Sequence, residues 1–164
     1  MELLIPGLIL VGLMIYASMR IKRTASRAFD PERIETEHFA IDKAEGLLHV
    51  LNGDPKYLFE AYSKEFGAVS RRDVRLATAT VKIADDAVIA YPDEVVSDIN
   101  EVIGEHHYRT IEARRVKDGA EFRVFLKSSK VGSKLLLLEV STLTEASDDF
   151  VRKLEAMVDS FEIL

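Results

Sequence analysis

The residues best suited to metal chemistry in this 164-residue chain are two adjacent histidines, His106 and His107, preceded by Glu105. Imidazole and carboxylate groups are common zinc ligands, and an i, i+4 spacing on a helix places two of them on one side. Adjacent side chains instead point to opposite faces of a strand, and on a helix they diverge by about 100°. The spacing therefore disfavours a shared metal ion and indicates solvated side chains that follow a helix ending at Gly104.

Two further groups of polar residues invite a chemical role. Ser128-Ser129 lies in a predicted Lys-rich loop, KSSKVGSK, and paired aspartates occur at 85–86 and 148–149. A phosphate-binding loop needs a glycine-rich spacing that is missing around the serines. The first acidic pair falls in a predicted turn, and the second suits the start of a helix, where it opposes the helix dipole. Because no nucleophile, base and orienting group converge, we expect no catalytic, cofactor or metal site and a protein that is not an enzyme.

The charge distribution limits the classes of partner that the chain can bind. Its net charge is −6, and residues 37–164 carry seventeen Lys/Arg against twenty-four Asp/Glu. Arg71-Arg72 and Arg114-Arg115 are embedded in acidic sequence, so we interpret each pair as part of a solvated strand face rather than a basic patch. Because phosphate backbones are bound by clustered cations, nucleic acid is not expected as a partner. The chain contains no cysteine, which excludes disulfides and thiolate metal sites.

Residues 3–19 form an uncharged, mainly apolar run at the N-terminus. This length reaches the lower limit of the roughly 17 to 25 residues that a membrane-spanning helix needs. A cleaved secretory leader would carry positive charge before the run and a small-residue cleavage site after it, and neither is evident. A helix buried in a soluble domain would normally have a polar face, which is also missing. The leading interpretation is a retained single-pass transmembrane anchor over residues 1–23, with the other two interpretations left open.

Four cations follow the apolar run: Arg20, Lys22, Arg23 and Arg27. Cytoplasmic flanks of membrane helices are enriched in Lys and Arg, so this asymmetry predicts an N-terminus outside the membrane and a cytoplasmic domain. An extracytoplasmic domain is the alternative. The same side chains could also contact anionic lipid headgroups, or they could act only as a topology signal.

The chain after the apolar run divides into a polar stem at residues 24–37 and a folded domain at 38–164. Residues 55–66 fit a helix or a strand equally well. Asp118-Gly119 is a strong hairpin signal between two predicted strands, and the last long strand is apolar, as expected of a central strand covered on both faces. Alternating or β-branched residues predict strands at 39–41, 47–51, 74–83, 108–116, 120–127 and 134–142.

Two segments have the periodicity of amphipathic helices. Residues 92–103 begin with Pro, Asp and Glu, repeat apolar residues at i, i+4 and i+7, and stop at Gly104. Residues 148–158 follow Ser147, a suitable N-cap. The apolar stripe of this second helix consists of Phe150, Leu154, Met157 and Phe161. The order of these elements is strands, a helix, further strands and a closing helix. This order predicts an α+β fold with an antiparallel sheet.

Five segments, taken in order, resemble the PsbP-like family: HFAIDKAEG, RRDVRLATATV, PDEVVSDINEVI, EARRVKDGAEFRVFLK and FVRKLEAMVDSFEI. The first departs from the family's F-x-I-x-x-P-x-G pattern, since Ala44 stands where the family often has proline. The resemblance covers about residues 38–164. It implies an α/β/α sandwich on a mostly antiparallel twisted sheet, a fold that the family shares with the Ran-release factor of nuclear import. No catalytic or ligand residues come with it.

The resemblance also implies a class of function, because members of the fold are mainly binding or assembly proteins. Photosynthetic members are extrinsic lumenal proteins, so photosynthetic function is not carried over to a chain with a predicted anchor. We therefore expect a non-catalytic, membrane-tethered domain that binds a protein partner at the membrane surface, without a cofactor. The alternative is an anchored extracytoplasmic domain that binds a small or lipidic ligand.

Overall fold

The structure is a computed structural model that describes residues 4–68, 73–84 and 94–164. Its elements, in chain order, are α1 (Leu4–Arg27), β1 (Glu32–Glu35), β2 (Phe39–Lys43), β3 (Leu47–His49), β4 (Phe59–Ser63), β5 (Ala77–Ala84), β6 (Glu94–Ile103), β7 (His106–Lys117), β8 (Ala120–Val131), β9 (Lys134–Leu143), α2 (Asp148–Asp159) and β10 (Glu162–Ile163). The predicted α+β class with a mostly antiparallel sheet is confirmed.

Seven strands form the main sheet in the order β3-β4-β5-β9-β8-β7-β6, and every neighbouring pair is antiparallel. β9 lies at the centre, which explains its uninterrupted buried stretch at 135–138. The predicted hairpin joins β7 and β8 through Asp118 and Gly119, whose φ angles of 52° and 73° lie in the left-handed region. Three short strands, β1, β2 and β10, form a second sheet.

The core lies between the main sheet and α2, which contacts β2, β8 and β9. The Ser147 hydroxyl caps this helix by accepting the backbone N–H of Phe150, and two aspartates in the first turn oppose the helix dipole. Leu154 is fully buried, and Phe161 is 1 % exposed. The apolar stripe predicted for the closing helix is confirmed.

A second apolar cluster lies on the opposite face of the main sheet, because its members alternate along their strands with those of the first. Its members are Ile111, Ala113, Val124, Leu126 and Leu137. In residues 4–68, 73–84 and 94–164, α2 is the helix that packs on the sheet. The second helical layer of the expected α/β/α sandwich is therefore not shown.

The prediction of a helix over residues 92–103 is wrong, because Glu94–Ile103 form strand β6; residues 92 and 93 lie outside the described part of the chain. β6 pairs along its length with β7. Half of its ten residues are Val or Ile, which lose side-chain freedom in a helix and pack well on a pleated surface. Gly104 supplies the left-handed residue, with φ of 62°, in the two-residue turn between the strands.

Three other segments differ from the sequence-based predictions or decide between their alternatives. Ser128 and Ser129, predicted in a Lys-rich loop, lie inside β8 and are buried. Residues 55–66, which fitted a helix or a strand, contain strand β4. Residues 32–35 of the predicted stem form β1, which pairs with β2 and is therefore part of the folded domain.

A buried lysine attaches the end of α1 to the domain. The Lys43 ammonium donates hydrogen bonds to three backbone carbonyl oxygens. These belong to Ala28, Asp30 and Leu47, at 3.3, 2.5 and 2.7 Å. Burial lowers the pKa of Lys43, and the three acceptors satisfy the hydrogen-bonding groups of the charged form.

The apolar residues of α1 are largely exposed. Each of the following is more than half exposed: Ile9, Leu10, Val11, Leu13, Met14, Ile15, Tyr16, Met19 and Ile21. Within the described residues, no helix has the length and apolarity needed to cross a membrane. The transmembrane helix predicted over residues 1–23 is therefore not supported there, and residues 1–3 lie outside the described part.

Candidate protein-binding edge

β6 ends the strand order of the main sheet, with β7 on one side. An edge strand has a row of backbone N–H and C=O groups on its outer side that can pair with another chain. Ser97 is half-buried, and the rest of β6 is exposed. Its apolar side chains are 49–62 % exposed: Val95, Val96, Ile99, Val102 and Ile103. Because natural edges are usually short or protected by Lys or Pro, this strand has the properties of a surface that another strand covers.

The two central carboxylates of β6 are paired with cations of the same sheet. The guanidinium of Arg109 donates to both oxygens of Asp98, at 2.9 and 2.7 Å, and these hydrogen bonds lower the pKa of Asp98. On the other face, Oε1 of Glu101 lies 3.9 Å from Nζ of Lys127. The exposed apolar side chains of β6 therefore lie beside two carboxylates that already have cationic partners within the domain.

A cavity of about 490 Å³ lies at the turn end of the β6–β7 hairpin. Its lining comes from four strands and includes Glu101 of β6, His106 of β7, Ser129 of β8 and Leu135 of β9. The Ser129 hydroxyl is buried and has no hydrogen-bond partner. An unsatisfied buried hydroxyl is unfavourable by roughly 1–3 kcal/mol. The atom is covered from solvent, so a ligand in the cavity would reach it only by displacing neighbouring groups.

The ionisable side chains at and beside the cavity each have a defined position or partner. His106 and His107 are adjacent on β7 and point to opposite faces. Lys127 is buried, which lowers its pKa, and its ammonium donates to the carbonyl oxygen of Asp159 at 3.0 Å. In the described residues, no group of three or more His, Cys, Asp or Glu could hold a metal ion. These side chains do not form a relay from a nucleophile to a base.

The cations predicted to flank the membrane all lie on α1 and are exposed. They are Arg20, Lys22, Arg23 and Arg27. Helical spacing places the three arginines on one side of α1 and the lysine on the other. Their roles in topology and in headgroup contact stay predictions. The aspartates at 85–86 and the arginines at 71–72 lie outside the described residues.

Sequence reasoning missed the edge strand. The spacing of Val95, Ile99 and Val102 matches one face of a helix, and Gly104 is a suitable helix stop. Two signals favoured a strand. Half of the segment is β-branched, and a glycine between this segment and a second β-rich run also suits a hairpin turn. The buried Ser129 gave no signal, because its flanking lysines resemble a loop.

Several solved structures have a similar fold. The chain is similar to cyanobacterial PsbP (CyanoP) from Synechocystis sp. PCC 6803, with a TM-score of 0.55 and 14 % identity over 83 % of this chain and 94 % of that one. It is similar to LpqN, involved in cell envelope biogenesis of Mycobacterium tuberculosis, with a TM-score of 0.54 and 8 % identity over 82 % and 90 %. Mog1p, a Ran-binding protein of Saccharomyces cerevisiae, gives a TM-score of 0.51 and 7 % identity over 82 % and 96 %.

These similarities define the class of fold, an α+β domain of the PsbP and Mog1 type. The predicted resemblance is confirmed at the level of the fold, which is what such low identities show. No family model matches the chain, and no curated protein matches it. The function therefore has to be argued from the exposed edge and from α1.

Proposed function

We propose that the chain is a non-catalytic protein-binding or complex-assembly domain that acts at a membrane surface. The observation that carries the proposal is β6, a ten-residue edge strand whose apolar side chains are exposed on both faces. An extended segment of a partner adds to such an edge through backbone hydrogen bonds. The side chains on alternate faces then provide specificity.

The fold gives a precedent for protein recognition. Mog1p of Saccharomyces cerevisiae is a Ran-binding protein, so at least one protein of similar fold binds another protein. A fold does not determine a function. The precedent therefore supports the class of function and not a particular partner.

The membrane part of the proposal depends on α1. A helix that is apolar on all sides is normally covered by a large protein core or by lipid. The described part of α1 exposes consecutive apolar side chains, including those at 9–11 and 13–16. Lipid would remove this surface from water, with a gain of about 25 cal/mol per Å² of apolar area. The proposal is that α1 holds the domain at a membrane, with the cations after residue 19 at its boundary.

Site-specific photo-crosslinking tests the binding edge. A benzophenone amino acid replaces Ile99 in the full chain, and ultraviolet light is applied in the native membrane. If β6 is covered by a protein, a covalent protein adduct forms at this position, since the reactive group lies within contact distance of the bound strand. The adduct is identified by gel shift and mass spectrometry.

Val116 provides a matched control, because it is a β-branched residue on the neighbouring strand β7 and is 64 % exposed, against 57 % for Ile99. The same probe at Val116 should give at most weak, non-specific adducts. Equal adduct yields from the two positions would contradict the proposal that β6 is a binding edge.

The cavity supports a second candidate, binding of a small or lipidic ligand. Its volume of about 490 Å³ falls within the roughly 300–1,000 Å³ typical of ligand pockets. A ligand that displaced the groups covering the Ser129 hydroxyl would give this buried oxygen the hydrogen-bond partner that it lacks. Native mass spectrometry of the detergent-purified full chain distinguishes the two candidates. A ligand-binding domain should have the mass of the chain plus a retained small molecule, whereas a domain that binds only protein should have the mass of the chain alone.

A further inference from the structure

The sequence of β6 has the same chemical character when it is read in either direction from Ile99. Polar residues come first on both sides, and apolar residues follow. The equivalent positions are Asp98 and Asn100, Ser97 and Glu101, Val96 and Val102, and Val95 and Ile103. A twofold axis perpendicular to the sheet and midway between the Ile99 residues of two copies would place polar residues against polar ones and apolar residues against apolar ones. Such self-complementarity is what a twofold interface between identical subunits requires.

The faces of the strand are compatible with this pairing. Asp98 and Asn100 lie on the face of β6 that contacts Arg109, whereas Glu101 lies on the face that contacts Lys127. In an antiparallel pair about Ile99, each residue opposes one that lies on the same face, as a continuous sheet demands. The register with β7 shifts between Val95 and Ser97, so the irregularity affects only the outer apolar positions.

Charge also favours a second copy over a basic peptide. In this register Asp98 opposes Asn100, and Glu101 opposes Ser97, so no carboxylate faces a carboxylate across the interface. The carboxylates that would attract a basic segment are already paired with Arg109 and Lys127 of their own domain. The apolar side chains of β6 are also exposed, and the matching row of another β6 complements them.

We infer that β6 binds β6 of a second copy of this chain, in antiparallel register about Ile99, so that two seven-stranded sheets become one continuous sheet. The inference rests on the proposed function, because it names the partner of the same binding edge. The dimer is isologous, and it removes the exposed edge from both copies.

Disulfide crosslinking of the full chain in isolated membranes tests the inference without background, because the chain has no cysteine. Directly opposed residues of antiparallel strands have Cα atoms about 4.5–5.5 Å apart, within the range that a disulfide spans. Ile99→Cys should form a covalent dimer under mild oxidation. Thiols held together in a complex have an effective concentration near millimolar, so the reaction should be about tenfold or more faster than for the control Val116→Cys.

A mixed experiment tests the register. Asp98→Cys and Asn100→Cys chains, carrying different tags and produced together, should crosslink to each other. Each variant alone should crosslink much more slowly, since its cysteine then opposes a residue without a thiol. All of these positions are exposed, so folding should be retained.

The outcomes separate this inference from the proposed function. If Ile99→Cys forms a disulfide dimer no faster than Val116→Cys, the self-pairing of β6 is overturned. A photo-adduct between position 99 and a different protein would in that case still support the proposed function, with β6 as the binding edge. If neither a disulfide dimer nor a photo-adduct forms at Ile99, both proposals fail. A dimer through Ile99→Cys without the mixed 98–100 product would overturn the register about Ile99.

Discussion

At the scale of single residues, His49 makes the stability of the domain depend on pH. Its ring lies 5.0 Å from that of Phe59. Burial lowers the pKa of His49; the nearby Glu32 raises it by a smaller amount, and the charge of Lys43 lowers it slightly further. The unfolded chain therefore binds a proton at a higher pH than the folded chain does. The contribution of His49 to stability is complete above about pH 6.5, the ordinary pKa of histidine, and this contribution is lost as the pH falls from there through the lowered pKa. His49→Gln should therefore flatten the decrease in unfolding midpoint between about pH 7 and 5.

The measurement is a series of urea unfolding midpoints across this range, with His107→Gln as the control. His107 is exposed, so its replacement should leave the pH dependence close to that of the parent chain. Parallel curves for the parent and His49→Gln would show that burial of this ring does not contribute to the pH dependence.

At the scale of elements, α2 holds the core closed against the main sheet. Leu154 is fully buried on its inner face, so Leu154→Ala leaves a cavity under the helix. We expect a loss of about 2–5 kcal/mol in the free energy of unfolding, the usual range for a truncated core leucine. Thermal or urea unfolding followed by near-ultraviolet circular dichroism measures the change.

The same helix supplies the control, because Arg152 is on its outer face with 72 % of its side chain exposed. Arg152→Ala should change stability by no more than about 0.5 kcal/mol. If the two variants unfold at the same midpoint, α2 is peripheral and does not cover the core.

At the scale of the whole molecule, the N-terminal segment is predicted to keep the chain in the membrane with the domain in the cytoplasm. Four cations follow the apolar run, from Arg20 to Arg27, whereas the acidic Glu2 lies on its other side. The full chain should stay in the membrane pellet after carbonate washing. Green fluorescent protein fused after Leu164 should fluoresce, and alkaline phosphatase at the same point should be inactive.

The reverse pair of results, an active phosphatase and a dark fluorescent protein, would place the domain outside the cytoplasm and favour the ligand-binding alternative. Release of the intact chain by carbonate alone would show that α1 is not embedded in the bilayer. Deletion of residues 1–27 provides the control, since a chain without α1 should leave the pellet.

Short sequence signals predicted the turn between β7 and β8 and the start of α2, because neighbouring residues alone determine these two features. Asp118-Gly119 defined a hairpin because few residues accept left-handed φ angles, and Ser147 with its following aspartates defined the start of α2. In β6 the local signals conflict, because a helical spacing of apolar residues competes with a high content of β-branched residues, and the pairing with β7 decides the outcome. Its position at the edge depends on the order of all seven strands, which no single segment encodes. The candidate binding edge therefore could not be predicted from the sequence without the strand order of the sheet.

The hydrogen bonds of Lys43 have a mechanical consequence. Four residues, 28–31, separate α1 from β1, and they reach at most about 14 Å when fully extended. The ammonium holds two carbonyl groups of this short segment, those of Ala28 and Asp30, against the domain. Residues 28–31 are thus a short, restrained linker rather than a flexible one. Because the same ammonium also donates to Leu47 of β3, a tilt or axial rotation of α1 should move both sheets of the domain with it rather than bend the junction alone.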